Sequence, residues 1–481
     1  MKRTYITILA ILLVLTMFFS VTGCGKAANT ESEAVNDGFF ADAENVIESA
    51  SGDASNNTSG SSGSTSDSSI DKNTDIPKES VVGGKSWKNV LASMPKKLRG
   101  TTVKVMNWNP ITEYTGAAVA VKEFEKQTGI KVDWQMVDMS VYVTRLAALV
   151  ASDKAPDVVR TCTPVPSWML SFQSLDVANY DFTDNAWDEK VMKDYTVNGV
   201  TYATSLNNTH LGTVNMMFYN KELINRYDYE DPYKLWKSGK WTWSKFIEMC
   251  KTFKKEANAD RACVGAEWEI WSQLYGIPGP VGYDGSKYYS LLGDSKFLTV
   301  TQQIADLYHV DQLFHQGQAE EMDAGNVLFY AGASIYLRKN NSYLGELKSS
   351  GTLYAVPMPA IDGQSTYYQS RFEYEAYAIA QGAKNPEAVP YFLRYFLDGE
   401  NYDLNSFFCN RQNLEVYNWC MSQENTIWTT GYNDADDTFG DGKTGLVALQ
   451  GSQVKSYIDS NANMIDARVS KLNKLLSQLK K

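Results

Sequence analysis

The sequence predicts an α/β fold built on a parallel sheet covered by helices, and two observations predict it. Short alternating runs recur at Thr102-Val103-Lys104-Val105-Met106, Ile130-Lys131-Val132-Asp133-Trp134 and Asp157-Val158-Val159. Stretches of helical spacing lie between them. Strand, helix, strand, helix, strand implies right-handed crossovers with helices packed on the sheet.

The elements follow in order. The first run has the period-2 alternation of a strand. Residues 116–127 then fall near helical spacing around Val119 and Phe124, and Gly129 can end that helix in the left-handed region. Residues 130–134 alternate again. Ser140 can cap a second helix that carries Leu146, Leu149 and Val150 on one face. Ala155-Pro156 breaks it, and the third strand starts at Asp157. Ligands of such sheets sit in loops at the carboxyl ends of the strands. Here those loops are Asn107-Trp108-Asn109-Pro110 and Thr161-Cys162-Thr163-Pro164. A second unit begins near Thr209, with a strand over 214–219. A helix then opens at Trp241-Thr242-Trp243-Ser244, with Thr242 as its cap. Trp243, Phe246, Met249 and Phe253 form its apolar stripe, which reads as core packing.

Length and composition set the limits. The chain has 481 residues, enough for two or three domains. Hydrophobic residues make up 43% and charged residues 21%, a globular composition. The net charge of -11 repels phosphate backbones and argues against a nucleic-acid partner. The three histidines, His210, His309 and His315, leave little material for a zinc site or a histidine-based triad. Aromatics are plentiful, with 12 Trp, 29 Tyr and 19 Phe.

The amino-terminal quarter is of a different kind. Lys2 and Arg3 precede an apolar run from Tyr5 to Phe19, too short for a membrane span, which reads as a secretory signal over residues 1–23. Val21-Thr22-Gly23-Cys24 resembles a lipoprotein processing box, so Cys24 is the expected lipidation site; the alternative is an ordinary signal with a chance cysteine. Residues 24–99 then carry a Ser/Gly-rich tether, SGDASNNTSGSSGSTSDSS at its centre. Residues 86–98 form a short helix that joins the body. Gly84-Lys85-Ser86 is not a phosphate loop, because Glu79 stands where its first glycine is required. Beyond Cys24 there are five cysteines, an odd number, and none forms a CxxC. Small buried thiols are expected, with Cys250–Cys263 or Cys409–Cys420 as the pairs an oxidising space would allow.

Several segments together resemble the family 1 extracellular solute-binding proteins of ABC importers, the group that includes maltodextrin-binding protein. The matching words are FEKQTGIKV from Phe124, ASDKAPDV from Ala151, NGVTYA from Asn198 and FYNKEL from Phe218. Trp241-Thr242-Trp243, Phe329-Tyr330-Ala331-Gly332, Val356-Pro357-Met358-Pro359 and Lys384-Asn385-Pro386-Glu387-Ala388 follow in the family's order. Thr204 stands where the family usually has proline. The resemblance implies a two-lobe periplasmic-binding-protein-like fold of type II, with a hinge and an interlobe cleft. Lobe 1 would hold 100–206 plus 376–418, and lobe 2 would hold 207–375 plus 419–481. The C-terminal run with Val469, Leu472, Leu475, Leu476 and Leu479 has helical spacing and should pack on a lobe; the alternative is a partner-binding helix.

The expected function is that of a substrate-binding lipoprotein on the extracytoplasmic face of the cell membrane. It would capture a sugar or oligosaccharide as a monomer and deliver it to ABC permease subunits, with no cofactor, no metal and no enzymatic step. Sugars stack a C–H face on aromatic rings and pair their hydroxyls with polar side chains. From the carboxyl-end loops Trp108 can stack on a ligand or, alternatively, pack under its loop, and Asn109 and Thr163 can hydrogen-bond. By resemblance, Glu267, Trp268 and Trp271 contribute to the second lobe's wall, with helix core as the alternative for the two rings. Tyr336 falls near an aromatic ligand contact, and Arg371, Glu373 and Tyr374 lie by a crossing, where a hinge salt bridge is the alternative. The acidic loop Asn433-Asp434-Ala435-Asp436-Asp437 fails the EF-hand spacing and reads as solvated. Competing readings are an adhesin or peptide receptor on the same scaffold, and an exported glycoside hydrolase. The hydrolase would draw on Glu267, Glu269, Glu373 and Glu375 for a carboxylate pair.

Overall fold

The computed structural model describes residues 84–479, except 112–116, 208–212, 266–267, 316, 318, 339–340, 374, 401–407 and 429–450. Cys24, Glu267, Tyr374 and the acidic loop from Asn433 lie outside the described residues.

Two sheets organise the chain. In the first the strand order is Lys131–Met136, Thr102–Asn107, Val158–Thr161, Ala376–Ile379, Ala203–Thr204. The first three strands run parallel, as the strand–helix–strand order predicts; Ala376–Ile379 runs antiparallel to them, and Ala203–Thr204 antiparallel to it in turn. The helix Ala117–Thr128 connects the first pair, and Gly129 follows it at φ +72° with its N–H on Glu125 O. The second helix is Tyr142–Ala151, entered through a short turn Met139–Val141. Its start is fixed by Asp138, whose carboxylate accepts the N–H of Ser140, and not by a Ser140 cap. The charged acceptor satisfies the free N–H groups there more strongly than a hydroxyl would.

Side chains of alternate residues fill two cores, one on each face of this sheet. Val103, Val105, Val158, Tyr377 and Ile379 meet Phe124 and the helix Val389–Glu400 on one face. Met106, Val159, Ala376 and Ala378 meet Tyr142, Leu146 and Trp168 on the other. The expected short helix is Trp87–Ser93, and it joins the first of these cores through Trp87, Val90 and Met94.

The second sheet has the order Phe314–His315, Cys263–Val264, Phe329–Ala333, Thr213–Asn220, Gln369–Glu373, Thr426–Trp428, and Leu353–Val356 also pairs with Thr213–Asn220. The central strand is buried along its whole length. The helix Trp243–Glu256 starts where expected, with Thr242 Oγ1 accepting the Lys245 N–H, and buries Phe246, Met249 and Phe253.

The chain crosses between sheets after Thr204, between Glu373 and Ala376, and a third time before Phe408. The helix Arg411–Met421 packs its Val416, Tyr417 and Cys420 against Val214, Phe218 and Leu353 of the second sheet. The C-terminal segment packs on both sheets' cores. Helix Gly451–Gln478 buries Val454 and Ile458 in the second lobe's core, but Ile465, Leu472 and Leu476 in the first lobe's. Its apolar stripe is long enough to serve both.

The five cysteines of the described body are free thiols. Among the described residues no helix is long and apolar enough to cross a membrane. Nor is any group of three or more His, Cys, Asp or Glu placed to hold a metal ion.

Candidate functional site

Register shows which ends of the two sheets meet. Thr161 pairs with Ala376, so the carboxyl end of the strand Val158–Thr161 lies beside the point where the chain arrives from the second sheet. Thr102–Asn107 runs parallel to it and ends at the same edge, which places Trp108 there. In the second sheet Glu373 pairs with Thr213 and Arg371 with Val214, and Ala333 pairs with Asn215. The end of Phe329–Ala333 therefore also lies by the crossing. Loop ends of both sheets converge on residues 373–376.

Trp108 is half-buried in a cage of rings. Tyr142 meets it edge-on at 5.1 Å and Trp168 at 6.3 Å, while the Arg160 guanidinium lies over its face, 4.2 Å from the ring centroid. The loop itself is pinned. Asn109 N–H donates to Asn107 Oδ1, and Trp134 Nε1–H donates to Asn109 O. Asn109 stays half-buried, so its side chain has access to solvent. Thr163 is fully buried beneath the loop ends.

On the second lobe Tyr336 sits in the turn Ser334–Leu337, half-buried, with Tyr330 at 5.8 Å and the exposed Tyr343 at 5.0 Å. Burial pushes the Tyr330 hydroxyl well above its ordinary pKa, helped by its tyrosine neighbours, so it stays a neutral donor. Trp271 takes the helix-core place that the sequence left open as its alternative. It is 0% exposed, stacked 4.5 Å from Phe314 and packed on Phe246 and Trp243. Trp268 opens the same helix, Trp268–Leu274. Arg371 and Glu373 lie on the crossing strand, where the register shifts between them.

At this edge Arg160 was not singled out by sequence reasoning, and Glu375 only as a carboxylate for the competing hydrolase. Arg160 occupies an otherwise apolar strand, and Glu375 sits within the crossing; an Arg160 nitrogen lies 2.5 Å from Glu375 Oε2, with both residues buried. The available signal was a lone arginine inside a run of buried-strand residues. A separate cavity of about 820 Å³ lies at the far end of the second sheet, lined by Arg226, Arg261, His315 and Asn326 among others, away from the crossing.

Comparison with known proteins fits this geometry. The sequence profile of the family described as bacterial extracellular solute-binding protein matches residues 108–402. No curated protein matches the sequence. Among solved structures, the chain is similar to the galacto-N-biose-/lacto-N-biose I-binding protein of an ABC transporter from Bifidobacterium longum. That match has TM-score 0.58 and 14% identity, over 77% of this chain and 97% of that one. The sugar-binding protein MalE from Xanthomonas citri gives TM-score 0.57 and 14% identity, over 78% and 98%. The GacH receptor of Streptomyces glaucescens gives 0.52 and 18%, over 79% and 99%.

Proposed function

From the premise that this chain belongs to the bacterial extracellular solute-binding proteins, we propose that it captures a carbohydrate between its two lobes and hands it to an ABC permease. The observation that carries this reading is the convergence of both sheets' loop ends on one crossing, with Trp108 on the first lobe and Tyr336 on the second. A pyranose stacks its C–H face on such rings, and the polar rim of the loops takes its hydroxyls. Ligand that touches both lobes binds the closed form better, and that difference in affinity shifts the population. A micromolar complex needs about 8 kcal/mol in total, within reach of two stacked rings and a few hydrogen bonds. The protein performs no chemistry on the sugar. Anchoring through a lipid on Cys24, and the tether after it, would keep the body near its permease on the outer face of the membrane.

Isothermal titration with a panel of oligosaccharides, paired with an assay for newly released reducing ends, tests this. Heat of binding at micromolar concentration without cleavage is the expected result. Reducing-end release would make the protein a hydrolase. Silence toward every glycan would favour a peptide or adhesin role.

A further inference from the structure

One charged pair at the crossing calls for its own explanation. Arg160 is 4% and Glu375 3% exposed, so both ions are removed from water. A buried pair pays a desolvation penalty that its attraction need not recover, and apolar residues of similar volume often serve stability as well. The pair also has company. Tyr377 OH donates to Glu375 Oε1, and Tyr142 OH donates to the carbonyls of Met106 and Arg160. The guanidinium that Glu375 holds is the one lying on Trp108. Glu375 itself stands between Gln369–Glu373 of the second sheet and Ala376–Ile379 of the first.

We propose that Arg160 is the positioning residue of the aromatic seat, and that Glu375 ties the seat to the crossing. This rests on the reading of Trp108 as a ligand platform. The guanidinium lies over one face of the indole, so that face is not offered to a ligand and the ring's setting depends on Arg160. With Glu375 opposite, the pair is neutral, and the seat carries no net charge that would attract an acidic sugar. Any torsion at residues 373–376 moves Glu375, and through Arg160 it moves the face on which a sugar stacks. The site thus selects a neutral ring stacked on one side, and its geometry depends on how the lobes are set.

The test uses Arg160→Lys, which keeps the charge but loses the planar stack, and the double variant Arg160→Met/Glu375→Leu, which removes both ions together and keeps an apolar core. Trp108 is followed by fluorine NMR of 5-fluorotryptophan-labelled protein, its resonance identified by its loss in Trp108→Phe. The expected result is a shifted or broadened Trp108 signal in both variants without ligand. Affinity for the best-bound neutral glycan should fall about tenfold, the loss of one cation–π contact of about 1.4 kcal/mol. An unchanged Trp108 resonance in both variants would overturn the proposal. So would a shifted resonance with wild-type affinity, since the pair would then be structural alone. If the wild-type protein binds no glycan, the carbohydrate reading fails by itself, and the ligand-free resonance still decides whether Arg160 sets the ring.

Discussion

Trp108 and Trp271 separate what a ring does for binding from what it does for folding. Trp271 is buried among Phe314, Phe246 and Trp243, so Trp271→Ala opens a cavity and should cost about 3–5 kcal/mol. Trp108 is half-buried, and Trp108→Ala should cost less stability and more affinity. Thermal melts and titration calorimetry on the two variants should give opposite rankings. A Trp108→Ala protein that melts far lower and still binds at wild-type strength would show its ring to be core. The sequence left Trp271 open between cleft wall and helix core, because spacing of three places Trp268 and Trp271 near one face of a helix without saying where that face points. The pull of Phe314, over forty residues away, is a tertiary fact. The place of Trp108 was legible because the carboxyl end of a parallel strand is an address with chemical meaning, while its role toward a ligand is what the titration decides. Arg160 was hidden for the converse reason, since its partners Glu375 and Trp108 are brought to it only by the crossing.

Elements show how separated stretches of sequence come to depend on each other. Asp157, fully shielded at the start of a strand, accepts the N–H groups of Lys104, Lys384 and Asn385. The Ala-Pro-Asp-Val and Lys-Asn-Pro-Glu-Ala segments are thereby one hydrogen-bonded unit, which gives their joint appearance a physical cause. The helix Trp243–Glu256 is held in a similar way. Thr242 caps it locally, while Asp362 accepts both the N–H and the hydroxyl of Ser244 at 2.8 and 2.9 Å. Burial alone would raise the Asp362 carboxyl, but these hydrogen bonds outweigh it and hold it below its ordinary value. A depressed folded pKa means the stabilisation is present above the unfolded value, near 3.9, and is lost as pH falls through the folded one. Asp362→Asn should therefore destabilise the protein at pH 7 by about 1 kcal/mol, a small figure because the group is exposed and screened. The gap to wild type should close as pH falls through the depressed folded value. Melting curves across pH check this, and a gap that persists unchanged at low pH would exclude the ionised carboxylate as its source. The local cap was readable at Thr242. Asp362 was not, because nothing in a sequence marks an acceptor 118 residues distant.

At the scale of the molecule, the C-terminal helix decides whether the lobes behave as one body. Gly451 N–H is fixed on Asp306 of the second lobe, where Val454 and Ile458 join the core. Further along the helix, Asn473 holds Tyr288 through both the tyrosine's backbone N–H and its carbonyl, while Leu472 and Leu476 enter the first lobe's core beside Tyr142 and Trp168. At 1.5 Å per residue, its 28 residues span about 42 Å, enough to reach both. Cooperative unfolding of two lobes needs a shared interface of substance, and this helix supplies one. Leu472→Ala with Leu476→Ala removes two buried anchors from the first lobe and leaves the second lobe's half in place, at roughly 2–5 kcal/mol for each fully buried leucine. Differential scanning calorimetry should show one transition for the wild-type protein. In the variant it should split or broaden, with the lower component belonging to the lobe that contains Trp108. The same variant should bind more weakly, because Trp168 links the helix-bearing core to the Trp108 ring. A single sharp transition at the wild-type temperature would mean that the crossings alone couple the lobes, and the helix would then be packing on each lobe without joining them.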